Sequence, residues 1–267
     1  MNIQIHYFTG TGNTKYIANL FAKSFLQYGY TIDDKSMEEG FFLKGEAEYL
    51  IIGFPKFYGY IPLFYMNFLK ENLPQVKQQC KPKVILFCTQ AATTKTSFEK
   101  LIEMFDIHGY EVVWAETFAL GNNYMIKERS KETSQEDLEA RIKQAQQRVP
   151  IIIDKILSGV TFLEEADPDR ALKAVQGATQ ISRTAHQLME PFAITDVCTN
   201  CMDCIKFCPT GSILKQNNQF IFTSTCIMCV RCVNICPVNA FTYDGVQARQ
   251  YLPMINEIKN LRIFCRE

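Results

Sequence analysis

Eight of the eleven cysteines in this 267-residue chain fall into two copies of one pattern. Cys198, Cys201, Cys204, Cys208 and Pro209 recur as Cys226, Cys229, Cys232, Cys236 and Pro237, every pair 28 residues apart. Each copy reads C-x2-C-x2-C-x3-C-P. No other feature constrains the fold as strongly. The C-x2-C-x2-C turn aims three sulfurs at one centre, and a fourth thiolate completes the ligand set of an iron–sulfide cube. The spacing predicts two [4Fe–4S] clusters and single-electron chemistry. Structural zinc usually pairs two C-x2-C knuckles across a longer gap, with four ligands in all. Two complete three-plus-one runs, each closed by proline, fit iron better. The residues between the cysteines, among them Ile205, Phe207, Ile213, Phe222, Ile227, Val230 and Val233, are mostly apolar. They are expected to screen the clusters from water, one lever on potential.

Lys+Arg and Asp+Glu both number 28, so no global charge points to nucleic acid or an anionic membrane. No apolar run approaches the roughly 18 residues of a spanning helix. The start, MNIQIHYF, lacks the basic and apolar stretches of a signal peptide. These features predict a cytoplasmic protein with no membrane span, where clustered cysteines bind metal rather than form disulfides. Of the other cysteines, Cys88 ends the apolar run from Val84 and reads as a small buried hydrophobe, while Cys80 and Cys265 carry no motif. From Ile194 to Gly245 the acids Asp196, Asp203 and Asp244 balance the bases Lys206, Lys215 and Arg231. That stretch offers no acidic face for long-range steering.

The first 160 residues alternate strand and helix signals. A short run over residues 2–8 meets a glycine loop, then a helical face of Tyr16, Ile17, Leu20, Phe21 and Phe25, closed by Gly29. Tyr49–Gly53, Val84–Cys88 and Val112–Leu120 read as the third, fourth and fifth strands. A helix is expected from Thr96 to His108, with Thr96 and Glu99 as its capping box. Ser134 and Asp137 cap another, which Pro150 should kink or divide. Such alternation predicts an α/β fold, a five-stranded parallel sheet with helices on both faces. The expected division is 1–160 for this domain, 161–193 for a linker carrying a helix from Ala171 to Met189, 194–245 for the cysteine repeat, and 246–267 for a tail. Leu252, Ile255, Ile258 and Leu261 make the tail amphipathic, so it should dock back.

Thr9-Gly10-Thr11-Gly12-Asn13-Thr14 follows the first strand and opens the first helix. Glycines admit an anion to the backbone, and hydroxyl, amide and free N–H groups can surround a phosphate without a cation. Lys15 stands where G-x-G-x-x-G needs its third glycine, and G-x4-G-K-[ST] is absent. The Thr-rich loop resembles the phosphate loop of flavodoxins, over roughly residues 1–158. That resemblance implies FMN, lying beyond the carboxyl ends of the strands. Pro55, Phe57, Tyr58 and Gly59, then Thr89, Gln90 and Ala91, then Gly121, Asn122, Asn123 and Tyr124 fall there. Tyr58 and Tyr124 are candidates to cover the flavin ring. The 89–91 and 122–123 backbones are candidates for its edge. By resemblance, Gly59 would offer a peptide that bonds the reduced ring.

The cysteine repeat is similar to bacterial two-cluster ferredoxins, a small α+β domain. There the fourth cysteine of each run crosses to the other cluster. The resemblance implies one set of Cys198, Cys201, Cys204 and Cys236, and another of Cys226, Cys229, Cys232 and Cys208. The whole chain looks like a flavodoxin–ferredoxin fusion, a type found in anaerobic bacteria and archaea. The expected function is electron relay between an external redox protein, two clusters and FMN. A flavin-dependent reductase of a small substrate is the alternative, with residues 54–62 and 121–134 as lid candidates. A redox sensor would need an output domain, and none is visible. His6, His108 and His186 are isolated and read as structural.

Overall fold

The computed structural model describes residues 2–261 apart from 41–46, 58, 77–80, 94, 96, 128–129, 167–186 and 218. Its large sheet contains β1 (Asn2–Tyr7), β2 (Thr31–Ser36), β3 (Tyr49–Pro55), β4 (Lys83–Gln90), β5 (Glu111–Ala119) and β6 (Phe162–Leu163). All pairs are parallel, in the order β2-β1-β3-β4-β5-β6. The first five strands follow the 2-1-3-4-5 winding of flavodoxin-like folds, with the switch point between β1 and β3. The sheet therefore has one strand more than the expected five. β6 is two residues long, too short to carry a periodic signal, and it is held by Phe162 against Trp114 at 5.0 Å.

The helices α1 (Asn13–Gln27), α2 (Leu63–Asn72), α3 (Glu99–Ile107) and α4 (Gln135–Leu157) cover both faces. Strand side chains alternate between them. Ile3, Ile5, Ile51, Ile85 and Phe87 pack with Phe21 and Phe25 of α1 and Val149 and Ile153 of α4. Leu50, Ile52, Val84, Leu86 and Cys88 pack with Tyr65 and Leu69 of α2 and Leu101 and Phe105 of α3. Cys88 is thus a core residue, fully buried.

Two helix expectations need correction. α3 starts at Glu99, after Phe98, with no side-chain cap; Thr96 lies outside the described residues. Packing replaces the cap, because Phe98 is buried and meets Phe54 edge-on at 5.9 Å. Pro150 does not divide α4, which is continuous. A proline forfeits one N–H bond. Here Gln146 and Pro150 are exposed, so the freed carbonyl meets water, while Val149, Ile152 and Ile153 hold the helix on the sheet. The Ser134 cap is present, accepting from the Asp137 N–H at 3.1 Å. Residues 171–186 of the expected connecting helix, with Cys80, Cys265 and His186, lie outside the described residues.

The second half contains β7 (Phe192–Ile194), α5 (Asp203–Lys206), β8 (Ile213–Gln216), β9 (Gln219–Phe222), α6 (Arg231–Ile235), β10 (Phe241–Tyr243), β11 (Val246–Gln247) and α7 (Ile255–Lys259). β8 and β9 form an antiparallel hairpin, and β7, β10 and β11 an antiparallel sheet. The sequence offset reappears in the backbone. Left-handed Asn200 and Met202 (φ 57° and 65°) correspond to Met228 and Val230 (φ 55° and 53°). α7 docks on α1: Ile258 and Leu261 join its core, and Asn19 donates to Glu257 at 2.9 Å. Among the described residues no helix is long and apolar enough to cross a membrane.

His6 is structural in its setting. It is 4% exposed on β1, with Nδ1 3.3 Å from the Tyr65 hydroxyl, Nε2 3.3 Å from the Gly40 carbonyl, and its ring stacked on Phe68. Burial lowers its pKa from 6.5 to about 3; the Gly40 contact opposes this and nearby Lys35 adds to it. The unfolded chain therefore takes up a proton below pH 6.5 that the folded chain refuses, so stability falls as pH falls from 6.5 towards 3. About 2 kcal/mol should be lost between pH 7.5 and 5 from this residue. H6F should flatten that part of the profile in denaturant melts. An unchanged pH slope would contradict the assignment.

Candidate functional site

The turns before α5 and α6 place Cys204 near Cys198, Cys201 and Cys236, and Cys208 near Cys226, Cys229 and Cys232. Burial pushes the Cys204 thiol up to about 11; a backbone bond of Ile205 opposes this, and neighbouring Cys201, Cys198 and Cys236 push it further up. Burial likewise raises Cys226 to about 11 and Cys229 to about 12, and Cys208 adds to both. Cys232, also buried, is raised well above its ordinary value. One cavity is lined by Cys208, Cys226, Cys229 and Cys232 together with Phe192, Ile213 and Phe222. Buried thiols of this kind stay protonated until a metal takes the proton's place. Among the described residues no three His, Cys, Asp or Glu side chains are gathered as a single ion would need. The donor chemistry, all thiol and set in apolar walls, fits an iron–sulfide cube.

Backbone N–H groups reach the sulfurs in matching pairs. Asn200 and Met228 donate to Cys198 and Cys226 at 3.4 Å, and Ser212 and Ala240 donate to Cys208 and Cys236 at 3.2 Å. Such bonds tune cluster potential. The two sets differ in access. Cys201 is exposed, whereas Cys229 is buried against the first half.

The predicted phosphate loop sits at the carboxyl end of β1, beside the switch point, where open α/β sheets bind ligands. Thr9, Thr11, Asn13 and Thr14 are 5% exposed or less. Thr9 Oγ1 accepts from the Gly12 N–H at 3.1 Å, and Thr14 Oγ1 lies 2.8 Å from Thr89 Oγ1. Asn13 donates to the Gly121 carbonyl at 3.2 Å, and Asn123 donates to Thr11 Oγ1 at 2.5 Å. The loops after β1, β4 and β5 thus converge. The N–H groups of Asn13, Thr14 and Lys15 open α1 and find no acceptor among the described residues. Three buried free donors at a helix start, flanked by neutral hydroxyls, fit a phosphate group.

The other predicted residues make the following contacts. Pro55 is buried at the end of β3; Phe57 bridges to Tyr60 around Gly59 and meets Phe8 edge-on at 6.3 Å. Tyr58 lies outside the described residues. Gln90 donates to Ala92, and the Ala91 carbonyl accepts from Arg141. Asn122 bonds Thr133 and Lys131. Tyr124 packs with the apolar core of the cluster half.

The halves meet on the loop itself. A Cβ built on Gly10 would stand 3.0 Å from the Cys229 carbonyl oxygen. Tyr251 donates to Asn13 at 2.9 Å, and its ring lies against Gly121. Arg231, 1% exposed, bonds Thr9, Gly10 and Phe207 and pairs with Glu38 at 2.6 Å. Sequence reasoning missed Arg231, Glu38 and Tyr251. One signal was present: Arg231 is a charge inside the second cysteine run, and its counterpart 28 residues earlier, Asp203, has the opposite sign.

A family model described as a 4Fe-4S dicluster domain matches residues 190–237, which include all eight repeat cysteines. Among solved structures, a Fusobacterium nucleatum flavodoxin bound to flavin mononucleotide is 19% identical, with 60% of this chain and 99% of that one covered at a TM-score of 0.41. A flavodoxin from the domain Archaea is 17% identical, covering 58% and 99% at 0.39. Rubredoxin oxygen:oxidoreductase from Desulfovibrio gigas is 16% identical, covering 58% of this chain and 37% of that one at 0.34. No curated protein matches the chain. By strand order and family model together, the chain joins a flavodoxin-like α/β fold to a 4Fe-4S dicluster domain.

Proposed function

We propose that this chain relays electrons one at a time between an external redox protein, two [4Fe–4S] clusters and an FMN held by the same chain. The observation that carries this is the seat of Cys229 directly on Gly10 of the phosphate loop. Cys198, Cys201, Cys204 and Cys236 hold the outer cluster, and the exposure of Cys201 suits it to meet the partner. Cys226, Cys229, Cys232 and Cys208 hold the inner cluster, next to the loop. Thr9, Thr11 and Thr14, with the free N–H groups of α1, hold the phosphate. The Gly59 peptide and the 122–123 backbone face the ring. Bound flavin supplies the link between one- and two-electron chemistry.

One feature favours relay over reduction of a small substrate. The first part of the 121–134 lid candidate is tied down: Asn123 to Thr11, Met125 to the Arg249 N–H at 3.2 Å, and Ile126 buried in the cluster half. The test is anaerobic purification with iron, sulfide and flavin counts, then stepwise reduction followed by visible and paramagnetic resonance spectra. About eight irons and one FMN per chain are expected. Zinc in place of iron, or a folded chain with no affinity for FMN, would sink the corresponding half of the proposal. Turnover with NADH, NADPH and reduced ferredoxin then separates relay from reductase.

A further inference from the structure

We propose that Arg231, supplied by the cluster half, is a positioning residue for the phosphate loop; this rests on the assignment of that loop to FMN. The guanidinium donates through Nη2 to the Thr9 carbonyl at 2.5 Å and through Nε to the Gly10 carbonyl at 3.1 Å. In a trans peptide the carbonyl and the following N–H point to opposite sides, and the described chain has no cis bond. Two successive carbonyls turned to one guanidinium therefore turn the N–H groups of Gly10 and Thr11 the other way. Successive N–H groups aimed to one side form an anion-binding concavity. The free N–H groups of Asn13, Thr14 and Lys15 continue it into α1.

Arg231 does this as half of a neutral pair. Glu38 takes its charge at 2.6 Å, with both side chains buried. Nη1 donates to the Phe207 carbonyl at 2.9 Å, which anchors the same side chain within the cluster half. A planar fork suits three carbonyls and a carboxylate, whereas a lysine ammonium cannot span them. The cluster half thus preorganises the loop for phosphate without touching the phosphate, and preorganisation raises affinity.

The test uses full-length, cluster-loaded protein, with FMN and riboflavin affinities measured by quenching of flavin fluorescence. The variants are R231M/E38Q, which removes the guanidinium without stranding a buried carboxylate, and R231K. FMN should bind the double variant about tenfold more weakly or worse. Riboflavin, which lacks the phosphate, should bind it as it binds wild type, and R231K should fall between. Unchanged FMN affinity, or equal loss for both flavins, overturns the role given to Arg231. A wild-type chain that takes neither flavin overturns the FMN assignment, and the role with it. Cluster absorbance reports folding, and R231K decides by the same criteria if the double variant lacks clusters.

Discussion

Replacing Cys208 with alanine is expected to strip the inner cluster and spare the outer one, taking bound iron from about eight towards about four per chain. Cys208 belongs to the first run in sequence, yet it lines one cavity with Cys226, Cys229 and Cys232. If each run held its own cluster, C208A would free Cys198, Cys201 and Cys204. With the crossed arrangement it frees Cys226, Cys229 and Cys232. Alkylation of the unligated thiols under anaerobic conditions, mapped by mass spectrometry, distinguishes the two. C236A gives the mirror pattern, freeing Cys198, Cys201 and Cys204. The functional losses also differ. C208A leaves a cluster that the partner can still reduce, beside the exposed Cys201, but it breaks the step to the loop. Reduction of the surviving cluster with no reduction of bound FMN is the expected trace. Rapid FMN reduction in C208A would put the electron route elsewhere.

The parts of this design that were legible in the sequence are the local ones. The cysteine runs, the loop Thr9–Thr14, the α1 face and the Ser134 cap each rest on residues a few positions apart. β3 and β4 were legible as continuous apolar runs because both faces of those strands are covered. β6 was missed since two residues carry no period. The start of α3 was misplaced since Phe98 enters by packing, which leaves no capping signature. The junction was invisible for a different reason. Arg231 meets Thr9 across 222 positions, and Tyr251 meets Asn13 across 238, each through a single polar bond. No repeat or spacing encodes such a pair. Only the single charge inside the second cysteine run hinted that Arg231 faced something other than its own half. Tyr124 adds a contact that its own loop did not signal. An aromatic read as a candidate to cover a flavin also packs, partly buried, against the core of the second half.

Gly12→Ala should destabilise the folded chain by about 3 kcal/mol or more, or release the segment from Tyr251 onward. Two effects add at this position. Gly12 has φ +101°, where an L side chain is strained, which alone is worth roughly 1–2 kcal/mol. A Cβ there would also stand 2.2 Å from the Met254 carbonyl oxygen. That oxygen is backbone, so no rotamer change relieves the overlap; either the start of α1 or the 251–261 segment must shift. Gly29 supplies the control. Its φ is +79°, but a Cβ there meets nothing within 4 Å. G29A should therefore show only the backbone strain, roughly 1–2 kcal/mol. The difference between the two variants in denaturant melts isolates the contact with Met254. Hydrogen exchange adds the location: in G12A, protection should fall across α7 and around Tyr251, and in G29A it should not. Similar losses in both variants, with α7 equally protected, would mean that the tail does not press on the loop. The loop's exposure to water would then be set by the cluster half alone, through Arg231 and Cys229.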